Sequence, residues 1–309
     1  MSSRTRWRMA TAALLVLATG VTCKLSLTPE SVKNTYNAVK DARKDLTPEN
    51  EYYVGRAVAT NLLARHEYRY LDRDALQDGE LDGVTAYVNR VGHVVAAAAM
   101  ESRREGDRPA PLSGWHFIVI EDDETINAFA APGGWVFITT AALSAARSED
   151  QLAAILAHEV AHVVRGHALG SIKKSRWAGV AKTALDSTVE LDAEALGGLT
   201  KVFEGAMDDM LDATLVKGYS RDTEFEADRV GLAIMARAGY DPGAFVAYLE
   251  KLSKQQETGS GGLFATHPRA DDRIEKLSKR VAKLGRRKPP KKRTARFREA
   301  TRTLVSRSE

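Results

Sequence analysis

Apolar residues recur at helical spacing through most of this chain. In 79–100, "GELDGVTAYVNRVGHVVAAAAM", Leu81, Val84, Val88, Val91 and Val95 fall three or four apart, which predicts a helix with one apolar face. An earlier helix is predicted from "TPENEYYVGRAVATNLLARH". Thr47 suits its cap, Pro48 its first turn, and Glu49 and Glu51 the positive end of its dipole. A polar loop follows, and then the pattern changes. "WHFIVIE" (Trp115–Glu121) reads as a strand, and Ile126–Thr140 as two short strands around Pro132, Gly133 and Gly134. A long helix is predicted from Ser148, which has capping-box spacing to Gln151. Further helical patterns cover 171–217, broken at Gly197 and Gly198, then about 221–238, 242–254 and 269–284. "QQETGSGGLFATHP" is a flexible loop between the last two. The pattern predicts a helix-rich α+β domain with one small sheet.

Composition adds little to this until the two ends are considered. The 309 residues are 44% apolar and 28% charged with a net charge of +4, values of an ordinary globular protein that suggest no nucleic-acid partner. Arg4, Arg6 and Arg8 precede an apolar run from Met9 to Val21, the pattern of an export signal. The run falls short of the roughly 20 residues of a spanning helix. Cys23 is the sole cysteine, so the chain has no internal disulfide. Its place just after the apolar run resembles the acylated cysteine of bacterial lipoproteins, although Gly20 and Thr22 depart from the usual signal. A plain signal cut nearby is the alternative. The expected division is a signal over 1–22, a tether over 23–46 starting at a lipid-bearing Cys23, a main domain over 47–284, and a basic tail over 285–309. The tail is expected to be disordered and solvated, with attraction to anionic lipid head groups as its functional alternative.

The chemistry concentrates in "LAHEVAHVVRGH", which holds three of the seven histidines. His158 and His162 are four apart on the predicted helix, so their imidazoles differ by about 40° around its axis and face one metal. Glu159 lies beside them, placed to take a proton from water on that metal. Zinc is the usual occupant of such a site, with three protein ligands and one open position. His167 follows His162 by five residues, and on a continuous helix it points about 140° away. The alternative in which a glycine breaks the helix and a third histidine follows needs other residues where Arg165 and Ala168 stand. The third ligand must come from elsewhere, and "EFEAD" (Glu224–Asp228) is the best candidate. Its two outer carboxylates share one helix face. One can bind the metal while the other holds a ligand imidazole.

Four segments, "NAFAAPGG", "SEDQLAAILAHEVAHVVRGH", "YSRDTEFEADRVGLAIMARAGYDP" and "THPRADDRI", occur in an order that resembles the gluzincin metallopeptidases related to HtpX, the CAAX prenyl proteases and BepA. The resemblance covers about 47–284 and implies a mainly helical zincin-type domain with an edge-exposed sheet. It implies one zinc ion per chain, held by His158, His162 and Glu224, with Glu159 as general base and Asp228 supporting a ligand. His267 would approach the metal, either to stabilise the tetrahedral intermediate or to block the open position in a latent state. Arg273 would pair with an acidic group or support His267. "PGGWVFIT" would be the edge strand, so that Gly133, Gly134, Trp135, Val136 and Phe137 bind a substrate peptide by strand addition. The multispanning build of some members and the helical repeats of others are absent from this pattern. The expectation is therefore an exported endopeptidase acting on unfolded or misassembled envelope proteins, periplasmic and lipid-anchored to the outer membrane. A latent or inactive holdase with the same fold is the competing expectation.

Overall fold

A computed structural model describes residues 48–65, 69–71, 83–170, 218–256 and 270–305. The signal, the tether, Cys23, the segment 171–217 and His267 lie outside the described residues. Everything described belongs to one compact unit, Thr47–Ser171 with Met210–Glu309. Helix α1 (Pro48–Ala64) and the short strand β1 (Arg69–Tyr70) are followed by α2 (Val84–Glu101) and β2 (His116–Glu121). Strands β3 (Ala128–Ala131) and β4 (Trp135–Thr139) flank a 3-10 turn at Pro132–Gly134. Then come α3 (Thr140–Ala145), α4 (Glu149–Arg165), α5 (Arg221–Arg237), α6 (Gly243–Gln256), α7 (Ala270–Leu284) and α8 (Lys291–Val305). The architecture is α+β and mainly helical, with a small open sheet.

The sheet order is β1-β2-β4-β3, with β2 and β4 parallel and the outer pairs antiparallel. This order corrects the expected substrate strand. Residues Trp135–Phe137 lie in β4, which is hydrogen-bonded to β2 on one side and β3 on the other. No further strand can add there. Gly133 and Gly134 are buried in the turn. Trp135 stacks on His116 with centroids 4.2 Å apart, Phe137 stacks on Phe129 at 4.8 Å, and Val136 is fully buried. Among the described residues β3, with its one hydrogen-bonded neighbour, is the outer strand on this side, and its four residues are buried. Two short strands joined by a tight turn look alike in sequence. Which of them is interior depends on β2, whose pairing with β4 is non-local.

Helix α4 runs through the core. Leu152, Ala153, Ala154, Leu156, Ala157, Val160 and Ala161 are all fully buried, so the helix is enclosed on every side rather than amphipathic. Ser148 caps it, accepting from the Gln151 N–H at 3.2 Å. The Gln151 side chain reaches back one residue further than a standard capping box, to the Arg147 N–H at 2.7 Å.

The tail expected to be disordered is corrected in part, because Lys291–Val305 form α8. Phe297, Thr301 and Leu304 lie four and three apart and are buried, a stripe hidden in sequence by the surrounding arginines. Two of those arginines are used at the start of α4. Arg296 pairs with the fully buried Glu149, which also accepts from Tyr87 Oη at 2.6 Å and Tyr240 Oη at 3.1 Å. Arg293 donates to Asp150 at 2.9 Å. Burial pushes the Glu149 pKa up, but Arg296 and the two tyrosines outweigh it and hold it below its ordinary value. A depressed carboxylate stabilises the fold above its unfolded pKa and loses that contribution as pH falls through the folded one. Arg296→Ala is therefore expected to lower thermal stability by about 1–2 kcal/mol, discounted because the arginine is half exposed. It should also move the acid-unfolding midpoint to higher pH. Circular dichroism melts across pH 3–6 check both, and an unchanged midpoint would count against the pairing.

Candidate metal centre

Helices α4 and α5 cross so that three buried donors converge. His158 is 4%, His162 1% and Glu224 0% exposed. The two histidine Nε2 atoms are 3.1 Å apart. Glu224 Oε2 is 3.4 Å from His158 Nε2 and Glu224 Oε1 is 3.5 Å from His162 Nε2. Ligands bound tetrahedrally at zinc's 2.0–2.1 Å should be about 3.3–3.4 Å from each other. The three separations match that spacing, so the donor set fits one small divalent cation.

What brings α5 this close is Gly231. A Cβ there would sit 2.9 Å from the Ala157 carbonyl oxygen and 3.0 Å from the His158 nitrogen. Glu224, Asp228 and Gly231 lie on one face of α5, and the missing side chain lets that face meet the backbone of α4. Gly231→Ala is expected to force the helices apart, costing about 1–3 kcal/mol of stability and weakening metal binding. Zinc titration beside a thermal melt checks this, and wild-type affinity would mean that the helices absorb the methyl group.

Between the two carboxylates of "EFEAD" the structure makes a clear division. Glu224 points at the Nε2 pair, while Asp228 Oδ1 is 3.0 Å from His158 Nδ1. In the neutral ring that contact places the proton on Nδ1 and leaves Nε2 without one, the state a ligand needs. Arg273 holds Asp228 through two bonds of 2.8 and 2.6 Å, and its Nη1 is 3.5 Å from Glu224. Burial would raise the Asp228 pKa, but Arg273 and His158 keep it low. For His158, burial disfavours the imidazolium, yet Asp228 and Glu224 prevail and raise its pKa to about 9 in the metal-free site.

Glu159, next to His158, is 2% exposed. It lines a cleft of about 20 Å³ with Ile155, His158, Phe245, Tyr248 and Arg273, room for about one water.

His167 is placed differently from expectation. The helix ends at Arg165, and Gly166 takes a left-handed conformation at φ 66 and ψ 32, which glycine adopts without a Cβ penalty. The chain turns back, and His167 Nδ1 comes within 2.9 Å of His162 Nδ1. His167 faces the side of His162 away from the donor cluster. Gly166 was the sequence signal for that turn. Tyr219, stacked on His162 at 4.4 Å, carried no signal at all. His93 and His116 contact the Asn89 carbonyl and Ser113 instead. His267, expected near the metal, lies outside the described residues.

These features define a metallopeptidase of the class in which a His-Glu-x-x-His helix supplies two ligands and a second helix a carboxylate. Peptidase family M48 matches residues 84–281, and the chain belongs to that family. Over 209 residues it is 29% identical to the beta-barrel assembly-enhancing protease of Yersinia pestis, covering 65% of this chain and 40% of that protein. The protein of the same name from Escherichia coli (strain K12) is 28% identical over 209 residues, covering 39% of its length. The mitochondrial metalloendopeptidase OMA1 of Schizosaccharomyces pombe is 34% identical over 196 residues, covering 62% of this chain and 52% of that protein. The match thus spans about half or less of these relatives.

Proposed function

We propose that this chain is a zinc endopeptidase acting on unfolded or misassembled cell-envelope proteins, with one zinc per chain. The observation that carries the reading is the buried triangle of His158, His162 and Glu224 at tetrahedral spacing, with Glu159 adjoining it. A divalent cation bound there would lower the pKa of water and polarise a carbonyl. Glu159 takes the proton of the attacking water and delivers it to the leaving nitrogen. Asp228 and Arg273 hold the His158 ring in its ligand tautomer. A substrate peptide pairs with the outer strand β3 through main-chain bonds, which selects extended and therefore unfolded segments. His267 is assigned to the oxyanion on the strength of the family resemblance. The name beta-barrel assembly-enhancing protease, borne by two of the relatives, supports an envelope substrate.

Removing the metal is the direct test. Dialysis against a chelator should abolish cleavage of casein, and one equivalent of zinc should restore it. The same removal should lower the melting temperature, since zinc at 100 times its Kd adds about 2.7 kcal/mol to the folded state. Casein cleavage that survives complete zinc removal would overturn the reading. A lipid on Cys23 and an outer-membrane location belong to the same proposal. Among the described residues no helix is long and apolar enough to cross a membrane. Labelling with a palmitate analogue, lost in Cys23→Ser, tests the anchor.

A further inference from the structure

The two histidines of the metal centre are held from behind by different groups. His158 Nδ1 faces the carboxylate of Asp228, whereas His162 Nδ1 faces another imidazole, that of His167, at 2.9 Å. The two rings meet at 76° with centroids 4.8 Å apart. His167 Nε2 points on to Glu226, 3.7 Å from Oε2. Glu226 also lies 3.4 Å from Arg165 Nε and 3.3 Å from Arg229 Nη2.

Two imidazole nitrogens at this distance share one proton. If His162 offers a bare Nε2 to a cation, its proton is on Nδ1. His167 Nδ1 must then accept, which puts the His167 proton on Nε2, facing Glu226. Each tautomer follows from the one before it, and the chain of contacts ends on a carboxylate anchored by two arginines. Gly166 marks the end of the helix in sequence, but the contact of His167 with the His162 ring is set by the left-handed turn it allows.

We propose that His167 is a positioning residue for the metal centre. Its Nδ1 sets the tautomer and ring plane of His162, and the Glu226 carboxylate, 3.7 Å from His167 Nε2, favours a proton on that nitrogen. The inference rests on the reading that His158, His162 and Glu224 hold a metal. It assigns His167 no place among the ligands.

Cobalt(II) provides a readout independent of activity. Its affinity is measured on the full chain by competition with a chelator, and its visible absorption reports the ligand geometry. His167→Phe keeps a ring in place but removes the acceptor. His167→Asn restores an acceptor near the Nδ1 position. His167→Phe should bind cobalt about 10–100-fold more weakly with an altered spectrum, and His167→Asn should stay within about threefold of wild type. Wild-type affinity and spectrum in His167→Phe would overturn the proposal. So would an equal loss in both variants, since that would assign the effect to packing of the ring. Imidazole nitrogen chemical shifts of the zinc-loaded wild type need no variant to fold. They should place the His167 proton on Nε2, and a proton on Nδ1 would overturn the inference. A wild type that takes up no cobalt would remove the metal reading itself and this inference with it.

Discussion

Glu159→Gln is expected to abolish peptide-bond cleavage while leaving the metal content at one per chain. The side chain is 2% exposed and adjoins His158 on α4. The amide has the shape of the carboxylate it replaces, so the fold and the donor triangle should persist. It cannot accept a proton at neutral pH. Positioned general bases contribute about 10²–10⁴-fold, so kcat on an unfolded substrate should fall at least that far. Cleavage assays beside metal analysis separate the outcomes. Retained activity would sink the base assignment, and a parallel loss of zinc would recast Glu159 as a support for the site.

Glu224→Ala should instead remove the metal. Glu224 is fully buried and places one carboxylate oxygen 3.4 Å from His158 Nε2 and the other 3.5 Å from His162 Nε2. Without it two nitrogens remain, one short of the three protein ligands a catalytic zinc site uses. Arg273, which faces Glu224 as well as Asp228, would keep only the Asp228 half of its ion pairing. Affinity should fall by more than the 10–100-fold typical of partners behind a ligand. Asp228→Asn provides that milder comparison. Zinc stoichiometry after dialysis against a weak chelator measures both. A Glu224→Ala protein that keeps one zinc would take Glu224 out of the ligand set, and a larger loss in Asp228→Asn would exchange the two roles.

Much of this centre was legible before the structure. Four-residue spacing on a helix depends on nothing beyond that helix, so His158 and His162 could be paired, and Glu224 with Asp228. The elements around them were legible for the same reason. The start of α1 at Pro48, the strands on either side of Pro132–Gly134 and the cap at Ser148 are all local signals. What has no local signal is how one element sits against another. The residues of β4 read as an edge strand in sequence because its pairing with β2 leaves no mark in them. Helix α8 reads as a solvated tail in sequence because its arginines find Glu149 and Asp150 only once α4 is in place.

By itself, then, the sequence determined the chemical inventory: two imidazoles and a base on one helix, two carboxylates on another, and an α+β pattern to carry them. Periodicity leaves the two carboxylates equivalent, and apart from the family resemblance only the tertiary structure separates them, because the packing of α5 on α4 at Gly231 turns Glu224 toward the two Nε2 atoms and Asp228 toward His158 Nδ1. Only the tertiary structure returned His167 to His162, through the left-handed turn at Gly166. Periodicity reports which face of an element is buried. It carries no information about the neighbour that buries it, and the division of roles at this site depends on those neighbours.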